Sequence, residues 1–140
     1  MTRILCQAVE IDGILYLSGQ IGLDAVTGEM AQGVEEQAML ALTNMQHIME
    51  VAGIGFSNVI KATVFLADIN DFDTVNQVYE KFFVEHFPAR AAVQVTCQIS
   101  FSSYKCLHHH QVANLPKGAL VEIEAVAVVG DDIDTQYVSG

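Results

Sequence analysis

The chain has 140 residues, of which 51% are hydrophobic, and this length suits one domain with its own buried core. Its six Lys and Arg against 17 Asp and Glu give a formal charge of -11 at pH 7, which repels phosphate backbones and anionic membrane surfaces. Nucleic acid is therefore a disfavoured partner. No apolar run approaches the roughly 20 residues of a membrane span and no signal-peptide pattern is present, so we expect a cytoplasmic protein.

The apolar share of the composition is higher than one small domain readily hides. We therefore expect part of the apolar surface to lie in a subunit interface. The three cysteines, Cys6, Cys97 and Cys106, are too few and too irregularly spaced for a disulfide framework. These features together predict an oligomer with reduced thiols.

The chain begins with two short β-favouring segments, residues 6–11 and 14–18, which are separated by Asp12-Gly13. This dipeptide predicts a hairpin with a two-residue turn, because both positions tolerate positive φ. Just after the second segment, Gly19 could let a ligand approach the backbone or could form a β-bulge. Both alternatives stay open at this stage.

Two helices and a strand follow the hairpin. Between residues 34 and 52, apolar side chains recur at steps of three or four, which predicts a helix. Residues 59–67 form an apolar run that is typical of a strand covered on both faces. A second amphipathic helix is then predicted, with Asn70 or Asp71 as its N-cap, and Pro88 excludes its continuation.

Two later runs, residues 87–95 and 121–129, look like buried strands that carry unexpected charge. Arg90 lies in the first run, and Glu122 and Glu124 lie in the second, two residues apart and so on one face of a strand. The resulting order, ββαβαββ, predicts an α+β fold with two helices packed on one face of a mixed sheet.

The segment from Thr96 to Val112 does not fit this order. We expect one domain over residues 1–140 with an inserted segment at about 96–112. The insertion contains two cysteines and two histidines that could bind zinc: Cys97, Cys106, His108 and His110. Their spacing matches no zinc finger or ribbon, so a solvated loop is the favoured alternative and no metal site is predicted.

The pair Arg90 and Glu122 is the strongest candidate for chemistry. A guanidinium in an apolar setting needs an anion, and its planar fork holds a carboxylate through two parallel charge-assisted bonds. A carboxylate nearby could move a proton or position a water molecule. The alternative is a structural salt bridge between the two residues. Glu124 slightly favours a functional site, since one arginine cannot neutralise two buried carboxylates.

Six segments carry motifs of one known family, in order and over nearly the whole chain. They are residues 17–21, residues 58–68, Asn70-Asp71-Phe72, Val75-Asn76-Gln77-Val78-Tyr79, Phe87-Pro88-Ala89-Arg90 and residues 115–128. In these segments the chain resembles the Rid proteins, the reactive intermediate deaminases that are also called the YjgF or liver perchloric-acid-soluble protein family.

The resemblance implies a chorismate-mutase-like protomer, a homotrimer and sites in the clefts between subunits. It implies hydrolysis of 2-imino acids, the tautomers of 2-enamino acids, to 2-oxo acids and ammonia without metal or cofactor. Arg90 would then clamp the substrate carboxylate, and Glu122 would hold and activate the attacking water. The substrate-binding residues that it implies are Ser18, Gly19, Asn76 and Ala92, the last through its main chain.

Several features depart from the family pattern. Leu5 stands where relatives have a tyrosine that closes the cleft, and Ala92 replaces a cysteine found in many members. The inserted segment could act as a lid or block the site. The functions left as alternatives are a non-catalytic trimer that binds small carboxylates or shields client proteins, and a single-strand endoribonuclease, which the acidic charge disfavours.

Overall fold

A computed structural model describes residues 6–95 and 114–130 of the chain. This part forms five strands and two main helices. In chain order they are β1 (Ala8–Ile11), β2 (Ile14–Ile21), α1 (Gly33–Val51), β3 (Val59–Leu66), α2 (Phe72–Phe82), β4 (Ala89–Gln94) and β5 (Val121–Val128). The predicted ββαβαββ order is confirmed.

The five strands form one mixed sheet in the order β1-β2-β5-β3-β4. Strands β3 and β4 are parallel because α2 crosses over between them, and the other neighbouring pairs are antiparallel. Both helices pack on the same face of the sheet, which we call the helix face. The predicted α+β class is therefore confirmed.

The turn between β1 and β2 follows from its two residues. Asp12 and Gly13 have φ values of 51° and 76°, so both adopt the positive φ that a two-residue hairpin turn of this kind requires. The hairpin pairs Ile11 with Ile14, as the Asp12-Gly13 signal predicts.

The hydrophobic core lies between the helix face and the two helices. From α1 it takes Ala38, Leu42, Met45 and Met49, which recur at steps of three or four and are fully buried. The sheet contributes alternate residues of each central strand, such as Val121 and Ile123 of β5, both 0% exposed. Each strand therefore turns one set of side chains into the core and the other set away from it.

The opposite face of the sheet, which we call the open face, carries large apolar side chains that no described element covers. Val9 and Tyr16 pair across the hairpin on this face and are 55% and 47% exposed. The prediction that residues 59–67 form a strand covered on both faces is wrong for the described protomer, and so is the prediction that the Arg90 run is a buried strand. Because both helices lie on one face, β3 is covered on one side only, and β4 is an exposed edge strand.

Two predictions concern residues outside the described ranges. The single domain over 1–140 with its insertion at about 96–112 stays a prediction, and the zinc alternative at Cys97, Cys106, His108 and His110 falls on residues that the structure does not describe. Within residues 6–95 and 114–130, no helix is long and apolar enough to cross a membrane.

Asn58 joins the start of β3 to the end of β5. Its Oδ1 accepts the backbone N–H of Gly55 at 3.1 Å, and its Nδ2 donates to the carbonyl oxygens of Val128 and Gly130 at 3.0 Å each. The residue is only 9% exposed. Its loss would remove the partners of these three backbone groups.

We expect Asn58→Ala to lower the free energy of unfolding by about 2–4 kcal/mol, because it removes three hydrogen bonds of a buried side chain, each of which contributes about 0.5–1.5 kcal/mol. Urea denaturation at a fixed protein concentration measures the change. Asn70→Ala is the matched control, since the Asn70 side chain is bonded to Asp68 in an exposed turn; we expect it to change stability by less than about 0.5 kcal/mol. Equal effects of the two substitutions would contradict this role for Asn58.

Candidate active site

The direction of the Arg90 side chain is set by the pairing of the edge strand. Arg90 pairs in parallel register with Ala62 of β3, and paired residues of neighbouring strands point to the same face. Ala62 is 1% exposed and belongs to the core, so Arg90 points to the helix face. There it meets α2.

Three residues of α2 surround the guanidinium. The Oδ1 of Asn76 accepts a short hydrogen bond from Nη1 of Arg90. The guanidinium carbon lies 4.8 Å from the ring centroid of Tyr79 and 5.4 Å from that of Phe72. Steps of four and three residues place Phe72, Asn76 and Tyr79 on one side of the helix. We call Arg90, Ala92 and these three residues the arginine cluster.

Arg90 has no protein counter-ion among the described residues. The ion pair found in residues 6–95 and 114–130 joins Lys81 to Glu35, at 3.9 Å on the surface. The guanidinium of Arg90, in an exposed residue of the edge strand, keeps most of its N–H donors available. The described part of the protomer therefore supplies no anion to Arg90, and it leaves this residue exposed instead of in the apolar setting that the sequence predicts.

Glu122 lies on the open face. Its neighbours in β5, Val121 and Ile123, point into the core, so alternation directs Glu122 and Glu124 to the other side. Partial burial raises the pKa of Glu122 above its ordinary value of 4.5, and the nearby carboxylate of Glu124 raises that pKa further. A carboxyl group of this kind is suited to exchange protons with a substrate.

The alternative of a structural salt bridge between Arg90 and Glu122 is wrong for one protomer. The two side chains lie on opposite faces of the same sheet, since Arg90 shares the face of Ala62 whereas Glu122 follows the core residue Val121. A β-sheet of packed strands separates them. If the two groups act on one molecule, they must come from different subunits.

Gly19 lies in a β-bulge, which confirms that alternative, whereas the approach of a ligand to its backbone stays a prediction. Leu17 pairs with Ala125 and Gln20 with Ile123, so Ser18 and Gly19 together lie opposite one residue of β5, Glu124. A Cβ atom at Gly19 would overlap the carboxylate of Glu122. Glycine therefore makes room for this carboxylate beside the backbone of β2.

Of the other two predicted residues, Ser18 lies beside Glu122 and Gly19, and Ala92 lies on the helix face with Arg90. Ser18 adjoins Gly19 in the bulge, and its Oγ donates to the carbonyl oxygen of Cys6 at 2.7 Å. Ala92 pairs with Val64 on the helix face, two residues beyond Arg90, and is partly buried against the core. We call Ser18, Gly19 and Glu122 the glutamate cluster.

The structure thus divides the six predicted site residues into two clusters on opposite faces. Sequence reasoning missed Phe72 and Tyr79, the two rings that lie beside Arg90. Both are part of the apolar stripe of α2, and their spacing around Asn76 is the signal that could have found them.

Comparison with known proteins identifies the family. The Endoribonuclease L-PSP family profile matches residues 3–99 of the chain. The chain belongs to this family. The resemblance to the Rid and YjgF proteins is confirmed, because the matched proteins include one from Escherichia coli whose name contains reactive intermediate deaminase and the YjgF gene product of the same organism.

Individual members of the family are similar over most of their length. A 2-iminobutanoate/2-iminopropanoate deaminase from Bos taurus is 50% identical over 125 residues, which cover 89% of this chain and 79% of that protein. The protein of the same name from Salmonella typhimurium is 42% identical over 125 residues, covering 87% and 84%. The crystal structure of Escherichia coli TdcF with bound serine has a TM-score of 0.73 and 38% identity, covering 91% and 90%.

The position of Glu122 makes a testable prediction about its titration. We expect a pKa above 4.5 for Glu122, and a lower value, still above 4.5, in Glu124→Gln, because desolvation is the larger cause of the shift and persists in the variant. Carbon-13 NMR titration of the carboxyl signals, assigned with Glu122→Gln, measures both values.

The sign of this shift also predicts a stability effect. A carboxyl group whose folded pKa is raised favours the protonated form, so the ionised Glu122 opposes folding above the pKa of the unfolded chain. Glu122→Gln should therefore stabilise the protein at pH 7 and lose this advantage below about pH 4.5.

In the titration, a Glu122 pKa at or below 4.5, or a Glu122 pKa that does not fall in Glu124→Gln, would contradict the environment described above.

Proposed function

We propose that this protein hydrolyses 2-imino acids, the tautomers of 2-enamino acids, to 2-oxo acids and ammonia. The observation that carries the proposal is the guanidinium of Arg90, which is held by α2 and lacks a counter-ion among the described residues. Relatives that are 42–50% identical over most of this chain are named 2-iminobutanoate/2-iminopropanoate deaminases, which supports the same reaction here.

In this proposal Arg90 binds the substrate carboxylate through two parallel N–H···O bonds. The bound carboxylate fixes the position of the adjacent C2 atom, and the main chain at Ala92 contacts the substrate beside it. Asn76 keeps the arginine in place. Ser18 and Gly19 line the cleft beside the reacting atoms. Such positioning lowers the entropic cost of bringing C2 and water together.

Glu122 supplies the proton transfers. Its carboxylate accepts a proton from water while the water oxygen forms a bond to C2 and the C=N double bond becomes a single bond. The Glu122 carboxyl group then gives this proton to the nitrogen, which leaves Glu122 ionised again. The C–N bond of this carbinolamine then breaks, the hydroxyl proton is transferred to the departing nitrogen, and ammonia and a 2-oxo acid result. A raised pKa lets one carboxyl group both accept and return the proton. These steps require no metal and no cofactor.

The proposed site forms between subunits of a homotrimer. Arg90 and Glu122 lie on opposite faces of one sheet, so a common site needs the arginine cluster of one subunit and the glutamate cluster of its neighbour. The uncovered apolar side chains of the open face, including Ile11 at 58% exposure, support burial against another copy. We propose the cytoplasm as the location.

An assay with an imine formed in situ tests the reaction. An amino-acid oxidase generates the 2-imino acid, and the release of ammonia and 2-oxo acid is compared with the uncatalysed rate. We expect Arg90→Ala to lower kcat/KM by a factor of about 100 or more, because each charge-assisted bond contributes about 1.5–3 kcal/mol. Arg90→Lys should lose less, since it keeps the charge but not the planar fork.

Lys81→Ala is the matched control for a change in net charge. Lys81 is an exposed cation on α2, and its ion pair among the described residues is with Glu35 at the surface. We expect its loss to leave turnover unchanged. Binding of a 2-oxo acid without turnover would instead support the alternative of a non-catalytic carboxylate-binding trimer. Salt-sensitive cleavage of RNA by a protein that does not hydrolyse imines would support the endoribonuclease alternative.

Mixing two inactive variants tests whether the site is shared. In a trimer assembled at random from Arg90→Ala and Glu122→Gln subunits, about a quarter of the interfaces combine an intact arginine with an intact glutamate. We therefore expect co-expressed or co-refolded mixtures to regain about a quarter of the wild-type activity, whereas each variant alone stays inactive.

Two controls make the mixing experiment decisive. Separately assembled trimers that are combined without exchange of subunits should show no recovery. Sedimentation or light scattering confirms that mixed and unmixed samples have the same oligomeric state. An inactive co-assembled mixture would mean that Arg90 and Glu122 do not form one site across a subunit boundary.

A further inference from the structure

A ring of α2 lies against the group that the proposed reaction depends on. Tyr79 is 3% exposed, and its ring centroid is 4.8 Å from the guanidinium carbon of Arg90. The second ring, that of Phe72, is 5.4 Å away. Together with Asn76, these side chains contact the guanidinium from one side of a single helix.

The Tyr79 ring is itself held rigidly by the core. It stacks on Phe83 with a centroid distance of 4.1 Å and an interplanar angle of 20°, and Phe83 packs edge-on against Phe56 at 4.8 Å. Phe83 is 1% exposed. A continuous group of aromatic rings therefore runs from the core to the arginine, so that the position of the Tyr79 ring is fixed before any ligand arrives.

The hydroxyl group of Tyr79 makes no hydrogen bond to Arg90 or to any other described residue, and its oxygen is buried. Burial raises the pKa of Tyr79 to about 12, although the charge of Arg90 acts in the opposite direction, so the side chain is neutral at physiological pH. Tyr79 therefore acts on Arg90 through the face of its ring and neither as an anion nor as a hydrogen-bond acceptor.

We propose that Tyr79 is a positioning residue for substrate binding, whose ring holds the guanidinium of Arg90 so that its free N–H edge faces the substrate carboxylate. The face of an aromatic ring attracts the guanidinium without using any of its N–H donors. Asn76 accepts from Nη1, and the remaining donors stay available to the ligand. This inference rests on the proposed role of Arg90 as the carboxylate clamp.

The first test measures the arginine without any substrate. The chain has two arginines, Arg3 and Arg90, so Arg3→Lys assigns the single remaining Nε–H signal in a nitrogen-15 spectrum. In the wild type we expect a rigid Arg90 Nε–H group, with an order parameter as high as that of rigid backbone, about 0.85. In Tyr79→Leu we expect a value below about 0.6, and Tyr79→Phe should retain the rigid value because it keeps the ring.

The second test measures ligand binding and turnover. We expect Tyr79→Leu to raise KM for the imino acid and Kd for a 2-oxo acid by about tenfold, which corresponds to about 1.4 kcal/mol, with kcat changed by less than about threefold. Tyr79→Phe should stay within about twofold of the wild type in all three quantities. Val78→Ala is the control for a core defect in the same helix, because Val78 is 0% exposed and has no aromatic ring to place against Arg90. This variant should leave KM and Kd unchanged.

The outcomes separate this inference from the proposed function. A rigid Arg90 signal in Tyr79→Leu, or equal rises of KM in Tyr79→Leu and Val78→Ala, would overturn the positioning role while leaving the reaction intact. A wild-type protein that neither turns over imines nor binds a 2-oxo acid would overturn the proposed function. In that case the NMR comparison would still decide whether the Tyr79 ring holds Arg90.

Discussion

Alternation of side chains along each strand is the constraint on which the site depends. Arg90 pairs with the core residue Ala62 and so points to the helices, whereas Glu122 is adjacent to the core residue Val121 and so points away from them. One sheet cannot present both groups to the same small molecule. The proposed reaction therefore requires a second subunit, and the open face carries apolar side chains that no described element covers.

The surroundings of Arg90 and of Glu122 are each determined by neighbouring residues of the same protomer. On the helix face, α2 holds the guanidinium with one amide oxygen and two aromatic rings, and no described carboxylate neutralises it. On the open face, the bulge in β2 and the missing side chain of Gly19 make room for the Glu122 carboxylate, and partial burial raises the pKa of that group. The protein thus has a guanidinium without a described counter-ion on one face and a carboxyl group with a raised pKa on the other.

The sequence predicts those features that depend on residues close together in the chain. Asp12 and Gly13 determine their turn, the apolar periodicities locate α1 and α2, and Gly19 marks a bulge. The face assignment of Arg90 relative to Glu122 could not be predicted, because it depends on the registers of β4 and β5 against β3. The apolar open face also misled the prediction of burial on both sides, since a strand with an uncovered apolar face has the same composition as a strand inside a core. The contact of Tyr79 with Arg90 depends on how α2 packs on the sheet, and spacing alone reveals only that Phe72, Asn76 and Tyr79 share a side.

A crystal structure of the assembled protein with a bound 2-oxo acid tests the central claim most directly. The account predicts that the ligand carboxylate accepts two N–H bonds from Arg90 of one subunit. It also predicts that the Glu122 carboxyl group of the adjoining subunit lies within hydrogen-bond reach of the oxygen on C2 or of a water beside C2. A guanidinium that is already paired with a protein carboxylate in the assembly, or a ligand bound away from Arg90, would contradict it.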